Sequence, residues 1–177
     1  MTGTARDIFV TGLRNAHAME VQARELMERQ SGRLDDYPEV KHRVADHLEE
    51  TRRQIERLER CLQECGESPS TLKDTAQSVI ANAAALMHSA ADDEILKNTF
   101  ANNAFENYEI AAYKSLLELC KEADARFARE PLLLSLKEEE AMADWIDQNV
   151  EEVTRQFLAH KQVRQPEEGA VASTAAS

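Results

Sequence analysis

Apolar residues recur every three to four positions along most of this chain. Stepping by four and three from Phe9 gives Leu13, Ala16, Glu20, Ala23 and Met27. A second stripe runs Val40, Val44, His47/Leu48, Thr51, Ile55, Leu58, Leu62. A third runs Ile95, Thr99, Asn102, Glu106, Glu109, Tyr113, Leu116, Cys120. The last runs Leu132, Leu136, Glu139, Ala143, Ile146, Val150, Val153, Phe157. This is the period of amphipathic helices. It predicts four long ones, at roughly residues 5–30, 38–65, 93–122 and 130–160.

The breaks between stripes carry the topology. Gly32 to Pro38 separates the first pair, Gly66 to Pro69 follows the second helix, and Pro131 marks the start of the fourth. Short connections make antiparallel hairpins of helices one and two and of helices three and four. Between the hairpins lie about 27 residues that themselves read as helical (SVIANAAALMHSA), with a seam at Ala90-Ala91-Asp92-Asp93 where Asp92 or Asp93 caps the third helix. That length crosses a bundle from end to end. The expected fold is therefore all-α: a ferritin-like four-helix bundle of two antiparallel hairpins with an additional crossover helix, spanning residues 1–163. Residues 164–177 are small, polar and aperiodic, and are expected to be a disordered tail.

Composition narrows the function. Five glycines and four prolines in 177 residues leave little room for the turns of an all-β fold. A net charge of −12 disfavours nucleic acid and anionic membranes as partners, and no apolar run is long enough to span a bilayer. A cytoplasmic location is the default. Cys61 and Cys65 stand one helical turn apart, but with Cys120 they lack a second pair of soft ligands. They read as small apolar residues of a reducing compartment.

An acidic chain suits cations, and the stripes hold carboxylates in their middles. Glu20, Glu106, Glu109 and Glu139 lie on otherwise apolar stripes; Glu50 stands beside the second, with His47 and Gln54 on the same edge. Glu20 to Glu50 and Glu109 to Glu139 are both 30 residues apart, so the hairpins look like pseudo-repeats. Ionised together in a dry core, such carboxylates repel one another and each costs several kcal/mol. Protonation or bound cations relieve this, and hard oxygen ligands suit iron, manganese or magnesium. The expected metal residues are Glu20, Glu50, Glu106, Glu109 and Glu139, with His47 beside them. His17 points either to the same region or to the bundle boundary, Gln54 reads as orienting a carboxylate, and Tyr113 as a buried phenol with a satisfied hydroxyl. Glu138 and Glu140 read as solvated neighbours of Glu139.

The runs HLEETRRQIERLE (His47 to Glu59), ENYEIAAY (Glu106 to Tyr113) and SLKEEEA (Ser135 to Ala141) resemble the YciF-type (YciE/YciF) ferritin-like family of bacterial stress-associated proteins, over about residues 6–158. The resemblance implies a crossover-containing bundle, a homodimer, and kinship with rubrerythrin and bacterioferritin. Rubrerythrin-like proteins place Glu on the first helix, Glu-x-x-His on the second and fourth, and Glu or Glu-x-x-Glu on the third. By that likeness Glu20, Glu50, Glu106 with Glu109, and Glu139 fill the four carboxylate roles around one or two irons. The pattern departs at both histidines, where Arg53 and Met142 stand, and at Ala143, where the family usually carries Asp. Two functions follow as expectations. One is a di-iron carboxylate protein linked to stress, with oxidase-like, peroxidase-like or metal-buffering activity. The other is a non-catalytic dimeric scaffold whose site has decayed. Catalytic residues are not assignable from the sequence.

Overall fold

A computed structural model describes residues 4–67 and 93–171, with side chains through residue 162 at the C-terminal end. Its helices are α1 (Ala5–Ser31), α2 (Pro38–Glu64), α3 (Glu94–Glu122) and α4 (Arg129–Val171), with a 3₁₀ turn at Arg126–Ala128. The chain is an all-α four-helix bundle. The crossover expected between the hairpins lies outside the described residues.

The ends of these helices follow local chemistry. Thr4 caps α1 in a reciprocal box with Asp7, satisfying backbone donors that the first turn leaves orphaned. Pro38 opens α2, where its missing N–H costs nothing. Gly66, at φ 88°, closes α2: Glu67 N–H reaches Leu62 O at 3.0 Å and Gly66 N–H reaches Gln63 O at 2.9 Å. Asp124, at φ 50°, closes α3 with the same six-residue bond, from Ala125 N–H to Cys120 O at 2.9 Å. Asp93 occupies the cap position of α3, but its side chain pairs with Lys97 instead of capping. The helix α4 runs past the end expected near residue 160 and into the segment expected to be a tail. Ala159, Lys161, Gln162, Arg164 and Gln165 after Phe157 are good helix formers, whereas Pro166 and Gly169 further along oppose a helix.

Helix α1 packs on α2 and α3, and α4 packs on α3 and α2. Cross-helix contacts fix their directions. Gln30 meets Asn102 while Glu20 meets Tyr113, so α1 and α3 run antiparallel. Likewise His47 meets Glu139 while Arg57 meets Ser135, so α2 and α4 run antiparallel. Arg52 meets Glu28 while His17 meets Glu59, so α1 and α2 run antiparallel and α2 and α3 are parallel.

The core has two apolar clusters. One is built on Phe9, Leu13, Leu58, Leu62, Tyr113, Leu116 and Leu132. The other is built on Met27, Tyr37, Val44, Met142, Ile146 and Val153. On every helix the boundary between them falls at the polar positions: Glu20, His47 to Gln54, Glu106 to Glu109, and Glu139. A buried polar layer thus lies across the middle of the bundle, sealed above and below. Gly12 lets α1 and α3 approach closely, since a Cβ there would lie 2.8 Å from Leu116 Cδ2.

Candidate metal centre

Glu20, Glu109 and Glu139 are fully buried, and Glu106 and His47 nearly so. One residue from each helix, with two from α3, meets at this level because all sit on core-facing stripes at matching heights. His47 Nε2 lies 3.2 Å from Glu106 Oε2 and 3.4 Å from Glu139 Oε2. These three side chains offer ligand atoms within 4.8 Å of one another. Glu20 receives the Tyr113 hydroxyl at 2.6 Å on Oε1, and the charges of Glu139 and Glu106 act on it. Glu109 feels the charges of Glu20, Glu139 and Glu106.

The electrostatics are those of crowded carboxylates. Burial pushes the Glu109 carboxyl well above its ordinary range, and the other glutamates add to this. Burial does the same for Glu20, with Glu139 adding and Tyr113 opposing. Glu106 is raised by burial to about 7, against the pull of His47. Burial works to lower the His47 pKa, but Glu106, Glu139 and Glu50 outweigh it and hold the imidazole well above its usual value. Without a metal, then, burial and crowding favour the protonated forms of Glu20, Glu106 and Glu109, and the surrounding carboxyls favour the charged form of His47.

Several buried carboxylate oxygens are poorly satisfied: Glu20 Oε2 and both oxygens of Glu109 meet no donor, and Glu106 Oε2 and Glu139 Oε2 meet only His47 Nε2, at 3.2 and 3.4 Å. Such atoms are rare in a folded interior because each costs about 1–3 kcal/mol. They come from four carboxylates around one imidazole, a donor set that fits a hard or borderline divalent cation.

Of the residues expected from sequence, Glu20, Glu106, Glu109, Glu139 and His47 are brought together. Glu50 stands one step out. It accepts from His47 Nδ1 at 2.8 Å and pairs with Arg43 at 3.1 Å. Burial would raise its pKa, but His47 and Arg43 hold it below the ordinary value. In this arrangement it orients the imidazole and aims Nε2 at the cluster. His17 is a boundary residue, 3.3 Å from Glu59. Tyr108 projects outward with 63% exposure, whereas Tyr113 is fully buried.

Glu138 is the main correction. It is not a solvated neighbour: its carboxylate accepts from Gln54 at 3.0 Å and pairs with Arg57, itself buried. Gln54 also donates to Glu139, as expected of a carboxylate-orienting residue. The pairing of Glu138 depends on how closely α2 approaches α4, which periodicity does not report. The polar edge His47, Gln54, Arg57 at spacings of seven and three is the signal that could have found Arg57. Glu140 does face outward, paired with Lys114 at 3.0 Å.

The family model of a domain of unknown function, DUF892, matches residues 4–159. The chain belongs to that family. A solved structure from Xanthomonas campestris pv. campestris is similar at 29% identity and a TM-score of 0.75, over 90% of this chain and 99% of that one. The E. coli stress protein YciF is similar at 22% identity and a TM-score of 0.69, over 87% and 99%. YcfI from Rhodopseudomonas palustris is similar at 23% identity and a TM-score of 0.65, over 82% and 94%. The last two likenesses bear on the fold. The family match, with a polar layer on the stripes that carried the YciF-type resemblance, places the chain among YciF-like proteins.

Proposed function

We propose that this protein binds one or two divalent metal ions, iron foremost and manganese as the alternative, in the layer formed by Glu20, Glu106, Glu109, Glu139 and His47. The observation that carries the reading is the set of buried oxygens on four carboxylates that meet no donor or only the shared Nε2 of His47. Replacing a useless buried ionic network with apolar residues is often stabilising, so its presence here favours a ligand. His47 offers Nε2 once it gives up its proton, with Glu50 holding Nδ1. Glu109 offers two free oxygens; Glu20 and Glu139 each offer one, the other being tied to Tyr113 and Gln54. Bound iron supplies redox and Lewis-acid chemistry toward oxygen or peroxide. The two apolar clusters exclude bulk water from the layer. YciF is described as a stress protein, and a role in oxidative stress or metal buffering is the biological extension of this reading.

The reading extends to a homodimer in the cytoplasm. Among the described residues no helix is long and apolar enough to cross a membrane. The outward face of α3 between Lys97 and Lys114 carries no charge, because Glu106 and Glu109 point inward. It exposes Phe100 and Tyr108, and a copy of a −12 chain can approach it with the least repulsion.

The test is metal content per chain in protein expressed with added iron and purified without chelator, beside Glu139→Ala. About one to two irons per chain, lost in the variant, is the expected result. Free metal at 100 times its Kd adds about 3 kcal/mol, or roughly 5–10 °C in Tm for a chain of this size. Negligible metal in both proteins and an unmoved Tm would refute the reading. They would leave the second one, a helical scaffold, which the imidazolium of His47 between Glu106 and Glu139 favours by already neutralising part of the layer.

A further inference from the structure

We infer that Gln54, Glu138 and Arg57 form a positioning chain that holds one oxygen of Glu139 and thereby turns the other toward His47 and a bound cation. The inference rests on the metal-binding reading and assigns to it residues outside the proposed ligand set.

Each link is a contact between α2 and α4. Gln54 is fully buried, and its amide nitrogen donates to Glu139 Oε1 and to Glu138 Oε2, the latter at 3.0 Å. Two carboxylates on consecutive residues of α4 therefore take both amide hydrogens, which settles which end of the amide faces them. Glu138 is held in turn by the guanidinium of Arg57, whose Nε donates to Ser135 Oγ at 3.1 Å. Arg57 is buried, with 7% exposure. The far oxygen of Glu139, Oε2, faces His47 Nε2 at 3.4 Å and meets no other donor.

A structural role alone needs less than this. The Arg57–Glu138 pair would join α2 to α4 by itself. Gln54 adds a buried amide whose inner partner is Glu139, at the cost of leaving its own Oε1 without a partner. Its effect is geometric. A carboxylate tied at one oxygen cannot rotate to offer His47 both oxygens, which would close the layer against an ion. Orienting partners of this kind typically change metal affinity 10–100-fold when lost.

The experiment is Mn(II) titration of the full chain by calorimetry, with the Mn(II) EPR spectrum as a coordination signature that packing alone does not move. The proteins are wild type, Gln54→Met, Arg57→Met and Arg57→Lys, each checked for helical content. Gln54→Met should weaken Mn(II) by about 10-fold or more and change the EPR line shape. Arg57→Met should weaken it by a smaller factor, and Arg57→Lys, which keeps the charge facing Glu138, should recover most of the loss. If wild type takes up neither Mn(II) nor iron, the metal reading falls and this inference falls with it. If wild type binds and both Met variants bind within twofold with an unchanged spectrum, this inference alone is overturned. Should Gln54→Met fail to fold, Arg57→Met and a Glu138→Gln variant decide: weakened binding supports the chain, and unchanged binding refutes it.

Discussion

Glu109 gives the sharpest test of what the polar layer costs. It is fully buried, neither of its oxygens has a partner, and burial with three neighbouring carboxylates pushes its pKa well up from 4.5. The sign follows from linkage. A carboxyl whose folded pKa is raised contributes no penalty below its unfolded pKa, and costs stability as pH rises toward the folded value. While Glu109 stays protonated in the fold and ionises in the unfolded chain, the cost grows by about 1.4 kcal/mol per pH unit above 4.5. That slope is an upper limit, because the neighbouring carboxyls share the repulsion. Glu109→Met removes it and keeps the volume. In chelator, the variant should be near wild type at pH 5 and more stable by about 1–3 kcal/mol at pH 7. At about 2–4 °C per kcal/mol, Tm rises by several degrees. Urea unfolding at pH 5, 6 and 7 measures this directly. A variant destabilised equally at all three values would refute the reasoning, because it would mean that Glu109 is satisfied in the metal-free fold.

Other outcomes follow from the same geometry. Metal-free wild type should lose stability as pH rises from about 4.5 to 7, the window set by Glu106 at about 7 and extended upward by Glu20 and Glu109; a flat or rising Tm across that range would contradict it. Tyr113→Phe removes the hydroxyl that donates to Glu20 Oε1 and should cost about 1–2 kcal/mol in chelator, read by urea unfolding. Asp124→Gly relieves a left-handed residue at the end of α3 and should gain about 0.5–1 kcal/mol, seen as a higher urea midpoint with an unchanged slope.

Much of this architecture is legible in the sequence because the stripes are long and glycine and proline are scarce. The ends of α1, α2 and α3 fall within a residue or so of the period's limits, since Thr4, Pro38 and Gly66 mark them chemically. The carboxylates could be read for the same reason: an acid on an apolar stripe must face the core. What periodicity could not report is azimuth at a stripe's edge. Glu50 and Glu138 sit at comparable edges, yet Glu50 meets Arg43 behind His47 while Glu138 is half-buried against Arg57. Which edge is covered depends on the local approach of α2 to α4, a tertiary distance that a one-dimensional pattern does not carry. The far end of α4 was not legible for a different reason, since the apolar stripe stops at Phe157 while the helix continues to Val171.

The layer's charge balance ties these observations together. Four buried carboxylates and one imidazole can reach neutrality in two ways. Metal-free, His47 carries one positive charge and protons must remove the rest, which is what the upward shifts of Glu20, Glu106 and Glu109 describe. With His47 neutral as a ligand and all four carboxylates ionised, two divalent cations bring four positive charges and leave no residue. A single cation leaves two negative charges, which protons on the most crowded carboxyls can offset. On the metal-binding reading, occupancy and protonation are therefore alternatives for the same oxygens, and acid competes with metal. The absent Glu-x-x-His histidine on α4, where Met142 packs into the apolar cluster, removes a neutral donor and no charge. It lowers the affinity of that half of the layer without changing the number of cations needed to balance it.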